Sequence, residues 1–238
     1  VDYNIVIPLV TSGSKRAALR QLVHLRDWQC VLAYCNTVEE AQRFARECNA
    51  DGIVCETFDG TTGLADRARA IARLEDPKHL TRMLVTVNTL SEGVDLKAPH
   101  VALMVEPRNS SVSVVQILGR MSRLSPGKTV ATIVLPATDE EAELGRFMRL
   151  LQHNDPRLAG TGWHKRTDVV LLGETVPEDE AVLLATNTYD RLGMLMGDDH
   201  VWMLKLSVLQ DYVQVHSQLP AAGMVHQDLN IGGWCHTQ

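Results

Sequence analysis

CVLAYCNTVEEAQRFAREC, residues 30–48, contains both of the periodicities on which the fold depends. Its first six residues are a short, almost wholly apolar run. From Thr37 onward apolar residues recur at three and four, and Thr37 followed three later by Glu40 is a capping box that starts a helix. The same unit of strand running into helix then repeats. Further apolar runs stand at IVCETF (53–58), MLVTV (83–87), VALMVE (101–106) and TVATIVLP (129–136). Helical spacing occupies LADRARAIARLED, SVSVVQILGRMSR and DEEAELGRFMRLLQH. Parallel strands need crossover connections, so this alternation predicts an α/β fold, a mostly parallel sheet with helices on both faces. Near-continuously apolar strands agree with burial on both sides. An earlier helix is expected at about 14–27.

After residue 155 the composition changes. DPRLAGTGWHKRT is rich in breakers, a long helix is expected from about Pro177 to Met196, and another amphipathic helix at roughly 201–217 precedes a Leu-Pro break and a short segment ending at Trp234. The predicted organisation is a sheet domain over 1–155, a helical connector over 156–198 and a small all-α unit over 199–238.

With 238 residues, 45% of them hydrophobic, the chain can bury a real core. The net charge of −6 excludes a protein coated in positive charge, so any nucleic-acid contact must rest on a local patch and on backbone amides. Five cysteines, four of them in core-like segments, point to free thiols in a reducing, intracellular compartment. No segment approaches the roughly 20 apolar residues a membrane helix needs, so no membrane partner is expected.

In a parallel sheet, ligands bind beyond the carboxyl ends of the strands. The chemistry should follow strands 83–87 and 101–106. After the second of these, Gln116, Arg120 and Arg123 are spaced four and three apart on one helical stripe, with Val114, Val115, Leu118 and Met121 on the other side. Gly119 within the polar stripe costs the helix about 1 kcal/mol relative to alanine, a cost that makes sense where another surface must come close. Two guanidiniums on one stripe suit phosphate oxygens, each offering a planar fork of donors. The plain alternative is a solvated basic face.

These residues carry a family resemblance. VTVNTLSEGVDLKAPHVALMVEPRNSSVSVVQILGRMSRLSPGK resembles motifs V and VI of superfamily 2 helicases, with the Q-x-x-G-R-x-x-R signature complete at Gln116, Gly119, Arg120 and Arg123. CVLAYCNT resembles motif IV, and FDGTTGLADRARAIARLED the loop and helix between IV and V. The match runs over roughly 28–136 and implies the second RecA-like lobe of such a motor. It implies Arg123 as an arginine finger at the γ-phosphate of ATP, with Arg120 beside it and Gln116 ordering the site. Asp95 would take the ribose hydroxyls, and Gly93 would leave room for the nucleotide. Asn36, Thr37, Gly60, Thr61, Thr89 and Ser91 would contact the backbone of DNA or RNA. Without the resemblance, Gly93 to Asp95 reads as an ordinary turn, and the six loop residues as capping and turn chemistry.

Two stretches imitate other motifs. Gly127-Lys128-Thr129 looks like the end of a phosphate loop, but it is followed by the strand TVATIVLP and reads as a strand-entry turn. Asp179-Glu180-Ala181-Val182 spells a helicase-box-like tetrapeptide but follows Pro177 and opens a helix. Neither the phosphate loop nor the magnesium-binding acidic box of a first lobe is present. ATP hydrolysis is therefore expected only with a first RecA-like lobe, upstream in a longer polypeptide, that also holds Mg2+; this chain alone is expected to be inactive. The competing reading is a non-catalytic RecA-like module that binds nucleic acid or protein. Trp202, Leu206, Tyr212, Leu219-Pro220, Gly232-Gly233-Trp234 and Gln238 resemble part of a helicase-associated domain, their aromatics being read as core. His216, His226, Cys235 and His236 fit no standard ligand spacing, so no metal site is assigned.

Overall fold

The computed structural model of the chain describes residues 2–87, 99–106, 116, 117, 119, 121, 128–137, 141–154, 158, 163–195, 199–226 and 229–237. It divides into two compact units, Val1–Thr138 with Arg166–Gly173, and Asp139–Lys165 with Glu174–Gln238.

The first unit is built from β1 (Asp2–Val10), α1 (Lys15–Leu25), β2 (Val31–Cys35), α2 (Val38–Ala50), β3 (Cys55–Phe58), α3 (Leu64–Glu75), β4 (Met83–Val87), β5 (Val101–Met104), β6 (Val130–Val134) and β7 (Thr167–Leu172). The seven strands form one sheet in the order β3-β4-β2-β5-β6-β1-β7, and every pairing is parallel. Val31, Ala33, Cys35, Met83, Val85, Val101 and Leu103 form one core with Leu19 and Leu22 of α1 and Phe44 and Cys48 of α2. The alternate residues Leu32, Tyr34, Leu84, Thr86, Ala102 and Met104 are all 1% exposed or less. Both faces are covered, which is why these strands are apolar throughout rather than alternating.

Local chemistry fixes the α2 unit. Thr37 Oγ1 accepts from the Glu40 amide at 3.2 Å, as the capping box predicts, but the Glu40 carboxylate is held by Arg16 Nη1 of α1 at 3.0 Å. At the other end Asn49 Nδ2 donates to Ala45 O at 2.9 Å and to Cys55 O at 3.1 Å, while Cys55 N donates to Asn49 Oδ1 at 3.1 Å. Four of the five free cysteines are buried, and the Cys48 thiol donates to the Cys55 sulfur, holding Cys55 below its ordinary pKa.

Two strands depart from the sequence reading. β1 lies between β6 and β7 although Pro8 sits inside it. Pairing with β6 ends at Val6↔Val134, so Pro8 faces a partner only on the β7 side and its missing amide opens no gap there. β7 corrects the expectation that the sheet ends before residue 155: Thr167–Leu172 returns to it as an edge strand, in register from Ile5↔Thr167 to Val10↔Leu172. The two strand ends meet closely. Thr11 N donates to Leu172 O at 2.8 Å, and Gly173 has φ +109, where an added Cβ would stand 2.7 Å from Ser12 O. Gly173→Ala is therefore expected to cost about 1–3 kcal/mol of stability, read as a lowered urea midpoint at unchanged slope; an unshifted midpoint would refute it.

The second unit holds α4 (Glu141–Asn154), α5 (Glu178–Leu195), α6 (Asp199–His216), β8 (Val225–His226), β9 (Leu229–Asn230) and α7 (Ile231–Thr237). The expected all-α character needs one correction, since β8 and β9 pair antiparallel. Val208 and Tyr212 of α6 pack with Ile231 of α7, and Tyr212 stacks 4.3 Å from the His216 ring, ring centre to ring centre. Trp234 is buried, in keeping with a core role. A Cβ on Gly232 would stand 2.0 Å from Ala221 O, so α7 can begin there only with glycine. Asp179 and Glu180 lie in the exposed first turn of α5, as read from the sequence.

Candidate functional site

The strand register aligns the carboxyl ends of four neighbouring strands. Cys35 pairs with Val87, Phe58 with Thr86, and Tyr34 with Met104, so the chain leaves β3, β4, β2 and β5 along one edge. Every candidate residue follows one of these ends.

Beyond β2, Asn36 and Thr37 lie exposed at the start of α2. Thr37 uses a lone pair to cap the helix and keeps its own hydroxyl hydrogen to donate. The Asn36 amide donates to Glu106 Oε2 at 2.7 Å, across from the end of β5. Val105 N donates to Tyr34 O at 3.0 Å just before this contact, so the carboxylate continues the β2–β5 ladder by one rung.

Beyond β3, residues 59–62 form a tight turn on Asp59. Its carboxylate accepts from the Thr61 amide at 2.8 Å and the Thr61 hydroxyl at 2.6 Å, which holds the Asp59 carboxyl below its ordinary range. Asp59 N donates to Thr62 Oγ1 at 3.1 Å. Buried Arg67 of α3 clamps the turn, donating to Asp59 O at 2.6 Å with its guanidinium 6.0 Å from the Phe58 ring centre. Both Thr61 donors are thus spent inside the turn, the plain turn chemistry that the sequence also allowed. Gly60 stands exposed, and a Cβ there would meet nothing within 4 Å.

Beyond β4 and β5 the candidates Thr89, Ser91, Gly93 and Asp95 lie outside the described residues, as do Arg120 and Arg123. Four residues of the second stretch are described as helical. Ile117 and Met121, one turn apart, are each 1% exposed, while Gln116 and Gly119 face solvent. Met121 is on the buried side, as its spacing predicts, and Ile117 joins it. The helix docks through this pair and presents Gln116 outward.

Lys128 and Thr129 run directly into β6, as expected for a strand-entry turn, and Thr129 O accepts from Asp2 N at 3.1 Å. Sequence reasoning passed over Asp59, Arg67 and Glu106. Arg67 left a signal, because it interrupts the apolar stripe completed by Ala70, Ile71 and Leu74. An acid closing an apolar strand, as Glu106 does, was the other. Among the described residues no helix is long and apolar enough to cross a membrane.

Comparison with known proteins bears on this edge. The model of the helicase conserved C-terminal domain matches residues 14–125. Similar solved structures include the Escherichia coli DEAD-box protein SrmB bound to regulator of ribonuclease activity A (18% identity, TM-score 0.53, covering 63% of this chain and 85% of that one). Domain 2 of the DEAD-box helicase Mss116p bound to an RNA duplex is 16% identical with TM-score 0.50, covering 82% of this chain and 77% of that one. The ATP-dependent Type ISP restriction-modification enzyme LlaBIII bound to DNA is 13% identical with TM-score 0.53, covering 92% of this chain but 19% of that one. At these identities the likeness is one of fold. A comparison with curated proteins finds no match.

Proposed function

We propose, from the premise that residues 14–125 place this chain in the helicase conserved C-terminal domain family, that it is the second motor lobe of an ATP-dependent nucleic-acid helicase or translocase. The observation that carries this reading is the outward-facing Gln116 on a helix docked through Ile117 and Met121. Spacing of four and seven from Gln116 assigns Arg120 and Arg123 to the same stripe, where two guanidinium forks would meet phosphate oxygens across the gap from a first lobe. Arg123 is the proposed arginine finger, with Asp95 on the ribose and Gly93 against the nucleotide. The phosphate loop and Mg2+ ligands belong to the first lobe.

The nucleic-acid backbone would run along the loops after β2, β3 and β4. Thr37 has a hydroxyl hydrogen to donate, Gly60 gives close approach for a phosphate, and Asn36, Thr61, Thr89 and Ser91 complete the proposed surface. For Thr61 to donate, the Asp59 turn must first release one of its bonds. Residues 199–238 are assigned to a helicase-associated module.

ATP turnover of the full-length polypeptide, measured with DNA and with RNA in turn, tests this reading. Turnover should rise with one or both, and the stimulation should fall as salt increases, because phosphate contacts release counterions. Turnover unaffected by either polymer would refute the motor and leave the adaptor.

A further inference from the structure

The bond between Glu106 and Asn36 joins the two halves of the proposed site. Glu106 is the last described residue beyond β5, on the path to Gln116 and the arginine pair. Asn36 begins the loop beyond β2 proposed to touch the nucleic acid. The two are 70 residues apart in sequence, and one carboxylate oxygen spans the gap to the amide at 2.7 Å. A bond from an amide to a charged carboxylate is about twice as strong as one between neutral groups. It sits one rung past the backbone ladder, where Val105 N meets Tyr34 O, so the side chain does what the backbone of the two strands no longer does.

Resting on the motor reading above, we propose that Glu106 is a positioning residue that couples nucleic-acid contact at Asn36 and Thr37 to the arginine pair. Its carboxylate locks the start of α2 to the start of the segment that leads to Gln116. A phosphate backbone that moves the first therefore moves the second. The carboxylate touches neither nucleotide nor nucleic acid. Its side chain is partly exposed, and a partly exposed strand end could satisfy the Asn36 amide with water, so saturating that amide does not by itself require an acid there.

The test uses the full-length polypeptide and its Glu106→Ala and Glu106→Gln variants. ATP turnover is followed as nucleic-acid concentration rises, alongside direct nucleic-acid binding and thermal melting. Stimulation of the unaltered protein is read first; its absence overturns the motor reading, and this inference with it. Given stimulation, Glu106→Ala should lower the maximal stimulated rate about tenfold, within the ordinary range for coupling between sites, while binding shifts less than about twofold. Glu106→Gln keeps an oxygen that can accept from the Asn36 amide, and should recover most of the loss. Undiminished stimulation in Glu106→Ala overturns the inference. So does a loss that follows binding and melting in parallel, which would make the bond a structural fastening only.

Discussion

Arg123→Ala in the full-length protein is expected to lower nucleic-acid-stimulated ATP turnover by about 10³–10⁵ fold, the usual contribution of an arginine finger in phosphoryl transfer. The charge on the equatorial phosphoryl oxygens grows toward the transition state, and a guanidinium aimed there stabilises it more than it stabilises bound substrate. Nucleotide binding, held by the phosphate loop of the first lobe, should change little. Arg123→Lys should recover only part of the rate, since an ammonium keeps the charge but loses the planar fork. Turnover in Arg123→Ala equal to that of the unaltered protein would remove Arg123 from the ATP site.

Lys205→Met is expected to destabilise the second unit by about 3–5 kcal/mol, because it strands a buried carboxylate. Lys205 of α6 is 0% exposed and pairs with Asp190 of α5, itself 7% exposed. Burial pushes the Asp190 carboxyl up and the Lys205 ammonium down, while the pair draws each back toward its charged form. Adding Asp190→Leu to Lys205→Met removes both charges and should restore most or all of the loss, since an apolar pair of similar volume has no desolvation to offset. Hydrogen exchange on α5 and α6 separates this effect from the sheet unit. A single variant within about 0.5 kcal/mol of the parent, the range of ordinary surface changes, would show that the pair does not hold the two helices.

How far sequence reading reached depended on how local each signal was. β4 matches its apolar run at both ends, and α2 starts at its capping box, because a strand period of two and a helix period of 3.6 are written in neighbouring residues. β1 and β7 escaped. Pro8 argued against a strand, and only the observation that pairing with β6 stops at Val6 removes the objection. The stretch before β7 is dense in breakers, and nothing near Thr167 announces that its partner is Ile5. In the candidate site, the order Gln116, Gly119, Arg120, Arg123 was legible because helical spacing turns sequence distance into a shared stripe. Asp59 and Thr61 were adjacent in the sequence, yet which donors they would spend on one another depended on the turn, with Arg67 clamping it from α3.

By itself the sequence determined the alternation of strand and helix, the burial of the sheet on both faces and the stripe bearing Gln116, since each is set by the periodicity of residues a few positions apart. Only the tertiary structure decided the strand order, the return of Thr167–Leu172 to the sheet edge and the meeting of Glu106 with Asn36. Those depend on which distant segments become neighbours. That is set by how all the apolar faces are buried at once, and no window of the chain contains it.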